Sequence, residues 1–145
     1  MMISPGVWND AFARASAVCA DMGIPLLDPL LQDLSDRTGP YWTMPMGAAS
    51  SDRLGMGEIE NEEAGQIVLV LMIPVGGLST PDALAHCHAM STAFRAPVGA
   101  APKWAAGLQY DGQDSTPPDL SQSGRWYAAT LMVAYRYQSQ MVRGA

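Results

Sequence analysis

The chain has 145 residues, of which 48% are hydrophobic and only 15% are charged, and its net charge is −6. This length is typical of one domain and is enough to bury a core without disulfides or a metal. The eight basic residues are spread along the chain, which excludes the basic stripe of a protein that grips nucleic acid. Because average chains carry about 25% charged residues, so little charge indicates that part of the surface is buried against other subunits.

The N-terminal region predicts one helix, from about Pro5 to Met22. Ser4 can cap this helix, a proline suits its first turn, and Gly23 can end it. The apolar residues at helical spacing predict its buried face, which comprises Trp8, Phe12, Ala15, Cys19 and Met22. The start of the chain does not resemble a signal peptide, and the longest apolar run, "IVLVLMIPV", is too short to span a membrane. We therefore expect a soluble, intracellular protein.

The middle region predicts a sheet. "PYWTMPM" (40–46) is a candidate edge strand because Pro45 has no N–H for a strand ladder, and "GAASSD" (47–52) is a predicted loop. The segments Arg53 to Asn61 and Gly65 to Pro74 predict a hairpin, joined by the loop "EEAG". The second arm is apolar on both faces, which makes it the best candidate for a central strand.

A second helix is predicted from about Pro81 to Phe94, with Thr80 as its cap. Its predicted buried face comprises Leu84, Cys87, His88, Ser91 and Phe94, so His88 is expected beside the sheet and His86 is expected to point outward. Cys19 and Cys87 each have apolar neighbours in a predicted helix. They are therefore interpreted as small buried hydrophobes and not as a disulfide.

The C-terminal stretch "GRWYAATLMVAYRYQ" (124–138) predicts a long strand that is apolar or aromatic on both faces, and a shorter strand is predicted at "GLQYDG". The order of elements predicts an α+β fold, with an antiparallel or mixed sheet of about four to five strands and two helices packed on one face. Residues 1–145 are expected to form a single domain, with flexible loops at about 46–57 and 99–123. The strands are not polar at alternate positions, so the second face of the sheet needs a cover that the two helices do not supply.

The candidate chemical groups do not combine into a site. "HCH" (86–88) is a poor metal site because neighbouring residues of a helix project about 100° apart. The sequence has no signature of a nucleophile with its base, and its glycines have neither phosphate-loop nor dinucleotide spacing. Four glutamates, Glu58, Glu60, Glu62 and Glu63, could bind a divalent cation or form an acid–base pair, but a solvated or lumen-facing strand end is the favoured interpretation. We predict no catalytic residues, no metal and no cofactor.

The layout resembles the tail-terminator (tail completion) proteins of long-tailed bacteriophages and related phage-like particles. The resemblance covers about residues 8–138 and depends on an N-terminal helix ending in "GIP", the strand "GPYWTMPM", the strand "GQIVLVLMIPVGG", a helix ending in "AFR" and the late strand "GRWYAATLMVAYRYQ". It implies a non-enzymatic virion protein at the tail–head junction, assembled in the host cytoplasm. It further implies a ring, usually hexameric, that stops growth of the tail tube and joins it to the head-completion or neck proteins. DNA would only pass through the lumen of that ring.

These implications assign roles to particular residues. If the predicted hairpin faces the lumen, Glu58, Glu60, Glu62 and Glu63 would repel DNA phosphates. The candidates for a subunit or partner interface are residues of types enriched at interfaces: Trp42, Met44, Trp104, Trp126, Met132 and Arg136. One alternative is a head–tail connector or neck subunit of similar build. Another, of a different class, is a small α+β enzyme or ligand-binding domain, which would require a pocket with convergent polar groups.

Overall fold

The computed structural model describes residues 3–28, 30, 38–45, 49–54, 60–95, 108–120 and 126–140. In chain order the elements are α1 (Pro5–Met22), β1 (Leu26–Leu27), β2 (Tyr41–Thr43), β3 (Ala49–Leu54), β4 (Glu60–Pro74), α2 (Thr80–Ala93), β5 (Leu108–Leu120) and β6 (Trp126–Gln140). The strands form one sheet in the order β1-β2-β4-β6-β5, and β3 also pairs with β4. Only the β1–β2 pair is parallel. The predicted α+β fold with a mixed sheet is confirmed.

Helix α1 has the predicted bounds but a different buried face. It ends at Gly23, which has a φ of 77° and donates its N–H to the carbonyl of Cys19 at 2.9 Å. The buried face comprises Val7, Ala11, Ala15 and Cys19. The predicted members Trp8 and Phe12 lie at the margin of the core and stack on each other, while Met22 is 36% exposed. Small residues at every fourth position let the backbone of α1 lie close to α2.

Helix α2 corrects two predictions. Its cap is Ser79, whose side-chain oxygen accepts a hydrogen bond from the Asp82 N–H at 3.3 Å, and not the predicted Thr80. The buried residues are Ala83, His86, Met90 and Phe94. His86 is therefore buried and His88 exposed, the reverse of the prediction, and Leu84 is 62% exposed. Alanines on several sides of this helix leave two faces with similar apolar character, so spacing alone selects the wrong one.

Strand β4 is central, as predicted, because it pairs with β6 along its whole length on one side and with β2 and β3 on the other. The predicted turn at 62–65 is wrong, because Glu62 and Gly65 pair with residues of both β3 and β6. The antiparallel pairing of β3 with β4 begins instead at Leu54 opposite Glu60. A short acidic run can form a strand when two neighbours satisfy its backbone N–H and C=O groups.

Strands β3 and β5 occupy much of the two segments predicted as flexible loops. Residues 49–54 pair continuously with β4, and residues 108–120 pair with β6. The β5 ladder has irregularities between Tyr110 and Gln113 and between Thr116 and Asp119. These positions bracket Gly112 and the adjacent prolines 117 and 118. Bulges at the edge of a sheet accommodate glycine and proline, which is why turn-rich sequence forms a strand here.

The core lies between the helices and one face of the sheet. Alternate residues of β4 and β6 point into it: Ile67, Leu69, Leu71, Ile73, Ala129, Leu131, Val133 and Tyr135. Both helices contact this face through hydrogen bonds, from Ser4 to Glu63 and from Ser91 to Gln113. Neither helix in the described part of the chain is long and apolar enough to cross a membrane.

Both cysteines are free, in agreement with the prediction that they form no disulfide, and Cys19 gives the fold a dependence on alkaline pH. Burial raises the pKa of the Cys19 thiol to about 11, from about 9 in the unfolded chain. The protonated thiol therefore contributes stability below pH 9 that is lost as the pH rises to 11, about 2–3 kcal/mol in total. Urea unfolding at pH 8.5 and 11 should show this loss, and Cys19→Ala should remove the part due to this thiol, while the part due to the raised pKa values of Tyr110 and Tyr135 remains. Cys87→Ala also deletes one thiol, but from a half-buried position. This variant should still lose most of the same stability between pH 8.5 and 11.

Candidate assembly surface

The second face of the sheet, here called the open face, carries apolar side chains that the helices do not cover. On β4 and β6 it comprises Val68, Val70, Met72, Ala128, Thr130, Met132 and Ala134. Each of these residues is only half-buried, while their neighbours in sequence on the opposite face lie in the core. Among the described residues both helices pack on that opposite face. The open face is thus a continuous surface, mostly apolar, that is formed by neighbouring side chains of two paired strands.

One end of the open face is aromatic and the other is charged. At the aromatic end Trp126 lies opposite Pro74 and meets Tyr41 edge-on, with ring centroids 5.5 Å apart. At the charged end the Arg136 guanidinium donates to both carboxylate oxygens of Asp111, at 2.9 and 3.3 Å. Half-buried Glu62 lies nearby, opposite Gln138. Two carboxylates around one guanidinium leave this end acidic.

The predicted interface residues divide between the open face and the core. Trp126, Met132 and Arg136 lie on the open face, whereas Trp104 lies outside the described residues. Trp42 and Met44 are 1% and 6% exposed and belong to the core, so their predicted interface role is wrong for the folded subunit. Trp42 pairs with Leu71, which fixes its side chain on the helix-covered face. The sequence could not show on which face of the sheet Trp42 lies, because in a three-residue strand this depends on the register of its pairing.

The predicted acidic set is also divided. Glu58 and the side chain of Glu60 lie outside the described residues, and Glu62 lies on the open face. Glu63 is only 4% exposed, which excludes the predicted lumen-facing position for this residue. Its neighbour points to the opposite side because strand side chains alternate. The same period of two, counted back from Leu69 and Ile67, could have predicted that Glu63 points inward.

Buried Glu63 forms a polar clamp that holds the start of α1 on the sheet. Its carboxylate accepts hydrogen bonds from the Ser4 N–H at 3.1 Å, from the Ser4 hydroxyl, and from the Tyr135 hydroxyl at 2.5 Å. A carboxylate at a helix N-terminus also interacts favourably with the helix dipole. Burial, together with the hydrogen bond to Glu63, raises the pKa of Tyr135. The cluster of Glu63, Ser4 and Tyr135 therefore has a structural role, which the sequence did not predict.

A second clamp holds the next turns of α1. The Tyr110 hydroxyl donates to Asp10 at 2.6 Å, and the Arg14 Nε donates to the same carboxylate oxygen at 2.8 Å. Burial and the contact with Asp10 raise the pKa of Tyr110, so this hydroxyl keeps its proton. The polar side chains of α1 are thus used to fix the helix on the sheet.

A groove of about 920 Å³ lies on the helix-covered side of the sheet, beside α2 and above the outer half of β5 and β6. We call it the α2 groove, and its lining includes Ile73, Leu84, Cys87, Arg95, Tyr127 and Leu131. Leu84 and Tyr127 are 62% and 37% exposed. Burial raises the pKa of the Cys87 thiol, which is the direction opposite to that of an activated nucleophile. The groove is therefore better suited to apolar contact than to covalent chemistry.

No three potential metal ligands among His, Cys, Asp and Glu come together within the part of the chain that the structure describes. The hydroxyl of Ser91, which also lines the α2 groove, donates to Gln113, and Gln113 in turn donates to the Ser91 carbonyl at 3.0 Å. This polar pair joins α2 to the edge strand β5. Its side-chain groups bond to each other and to the backbone of α2.

Comparison with known proteins gives a fold and no family. No protein-family model matches the chain, and no curated protein matches it in sequence. Among solved structures, it is similar to a chain described as "Virion of native gene transfer agent (GTA) particle", with a TM-score of 0.57 and 16% sequence identity. The similarity covers 89% of this chain and 92% of that chain. The two chains therefore share a fold over nearly their whole lengths.

Proposed function

We propose that this protein is a structural subunit of a phage-like virion, and that it forms a ring that terminates the tail tube at the tail–head junction. The observation that carries the proposal is the open face, an apolar sheet surface that the two described helices do not cover, on a chain whose fold matches a chain of a gene transfer agent virion. The resemblance in layout to tail-terminator proteins supports the finer assignment. The subunit would act by contact and not by catalysis.

The open face supports self-assembly on energetic grounds. Burying apolar surface contributes about 25 cal/mol per Å² of area removed from water. A chain with 15% charged residues and a net charge of −6 has few ion pairs to offer a neighbour, so apolar contact is the available driving force. A head-to-tail interface closes into a ring when its rotation closes. We propose a homo-hexamer that binds the tube protein on one side and a head-completion or neck protein on the other.

The acidic balance fits passive passage of DNA through the lumen. A net charge of −6 repels phosphates and would prevent the genome from adhering to the ring wall. Glu58 and Glu60 remain proposed lumen residues. Glu63 is no longer proposed as one, because it is buried. The proposal places the protein in the virion, after assembly in the host cytoplasm.

Two measurements test the proposal together, namely the assembly state of the protein and its effect on elongation of the tube protein. Light scattering behind a sizing column, over a range of concentrations, should show a closed species near six times 15.4 kDa, or a monomer that closes only on the tube. Purified tube protein from the same particle should stop elongating when the subunit is added. A connector or neck subunit would bind a neighbouring ring without stopping tube growth, and a monomer that never affects the tube would contradict the proposal.

A substitution on the open face should separate assembly from folding. Met132→Lys places a charge in the centre of this surface, so the closed species and tube capping should both be lost. The melting temperature of the isolated subunit should change little, because Met132 is only half-buried. Gln138→Lys is the matched control, since Gln138 lies on the same face of the same strand but is already exposed. If both variants assemble like the parent protein, the open face is not the subunit interface.

A further inference from the structure

The α2 groove is a second apolar surface, distinct from the open face. Its floor includes Ile73, Ala129 and Leu131, which are residues of the helix-covered side of the sheet. Its rim includes Leu84 and Tyr127, two of the large hydrophobic residues that are most exposed in the described chain. The groove and the open face therefore lie on opposite sides of one sheet.

Two unlike surfaces are what a head-to-tail ring requires. In such a ring each subunit uses one patch toward one neighbour and a second, unlike patch toward the other. A twofold dimer would instead need one patch that is complementary to itself. A concave surface on one side and a sheet face with projecting Trp126 and Met132 on the other supply the two unlike halves.

Each of the two surfaces carries charges of both signs. Arg95 and Asp114 line the α2 groove and are exposed, and Arg95 forms no ion pair with the described side chains. The charged end of the open face is acidic, because Glu62 and Asp111 surround the single guanidinium of Arg136. Arg95 beside the groove can accept the acidic end of a second copy, whereas two identical acidic ends would repel each other.

We propose that the α2 groove is the receiving half of the subunit interface, and that its occupant is the open face of a second copy of this chain. Exposed aromatic and aliphatic side chains that fill a pocket on a partner are the usual centres of binding energy. The proposal rests on the ring function proposed above and specifies which surfaces meet in it. It assigns Leu84 and Tyr127 to the interface, neither of which the sequence singled out for that role.

The test compares one substitution at two exposed leucines. Leu84→Glu should abolish the closed species or, where closure occurs only on the tube, abolish capping of the tube. Leu30→Glu makes the same change at a leucine that is 82% exposed and does not line the groove, and it should assemble like the parent. Circular dichroism and melting of the monomer should be unchanged in both variants. A Leu84→Glu protein that closes and caps normally would overturn the inference and leave the ring function standing.

Alkylation of Cys87 gives a readout that does not depend on a variant. This thiol is free, half-buried and lines the groove, whereas Cys19 is buried in the core. In the monomer a small maleimide should label Cys87, and in the closed or tube-bound species that labelling should be lost. Unchanged labelling in an assembled species would show that the groove stays open and would overturn the inference. A parent protein that neither closes nor caps the tube would instead overturn the ring function, and this inference with it.

Discussion

Leu69→Ala should lower the free energy of unfolding by about 2–5 kcal/mol, the range for deleting a fully buried leucine side chain. Leu69 is 0% exposed, and its partner across the β4–β6 ladder is Leu131, also in the core. The residue lies near the centre of a strand that has neighbours on both sides, so the backbone cannot move easily to fill the cavity. Urea unfolding monitored by circular dichroism would measure the loss.

Val70→Ala is the matched control for Leu69→Ala, because Val70 is the next residue of the same strand but lies half-buried on the open face. In the isolated subunit its truncation should cost about 1 kcal/mol or less, since part of the side chain is already in water. The assembled species should be weakened more than the isolated fold. Equal losses of fold stability for the two variants would contradict the assignment of a covered and an open face.

Glu63→Ala should destabilise the subunit by about 2–4 kcal/mol, because it leaves the hydroxyl of Tyr135 and the N–H of Ser4 without their acceptor in a buried site. Helix α1 should be the element that loosens, since Ser4 is its N-cap. Thermal unfolding gives the magnitude, and amide hydrogen exchange would locate the loss in the first turns of α1.

Tyr135→Phe is the control for the Glu63 clamp. It deletes one hydroxyl and keeps the ring in the core, so it should cost about 1 kcal/mol. The two substitutions should not be additive, because they remove the same hydrogen bond, and a double-mutant cycle should give a coupling energy of about 0.5 kcal/mol or more. Full additivity would show that the two side chains do not interact.

The long, strongly patterned elements of this fold were predictable, and the elements that depend on partners were not. Pro5 and Gly23 mark the ends of α1 by their own backbone preferences. The apolar run of β4 predicts a central strand because both of its faces are apolar. By contrast, β5 contains residues typical of turns and becomes a strand only because bulges place them at the edge of the sheet beside β6.

The candidate surface was predicted in part for the same reason. Trp126 and Met132 lie on a long strand, where alternation fixes their side, and both are on the open face. Trp42 has only two strand neighbours to define its side, and it lies in the core. The α2 groove was missed because the two faces of α2 have similar composition, and the choice between them depends on how the helix docks. Local pattern therefore predicted the faces of the long strand β6, but not those of the short strand β2 or of the two helices.

The clamps on α1 determine when this helix can dock during the synthesis of the chain. Ser4 bonds to Glu63, which in turn bonds to Tyr135, and Asp10 bonds to Tyr110, so α1 is held in place only after the strands β4, β5 and β6 have been made. Strand β4 likewise lacks its longest neighbour until β6 is made. Contacts between such distant residues slow folding and keep apolar strands uncovered in the meantime. The open face consequently takes its final form only after β6 has been made, so a chain that ends before β6 has no finished surface with which to enter an assembly.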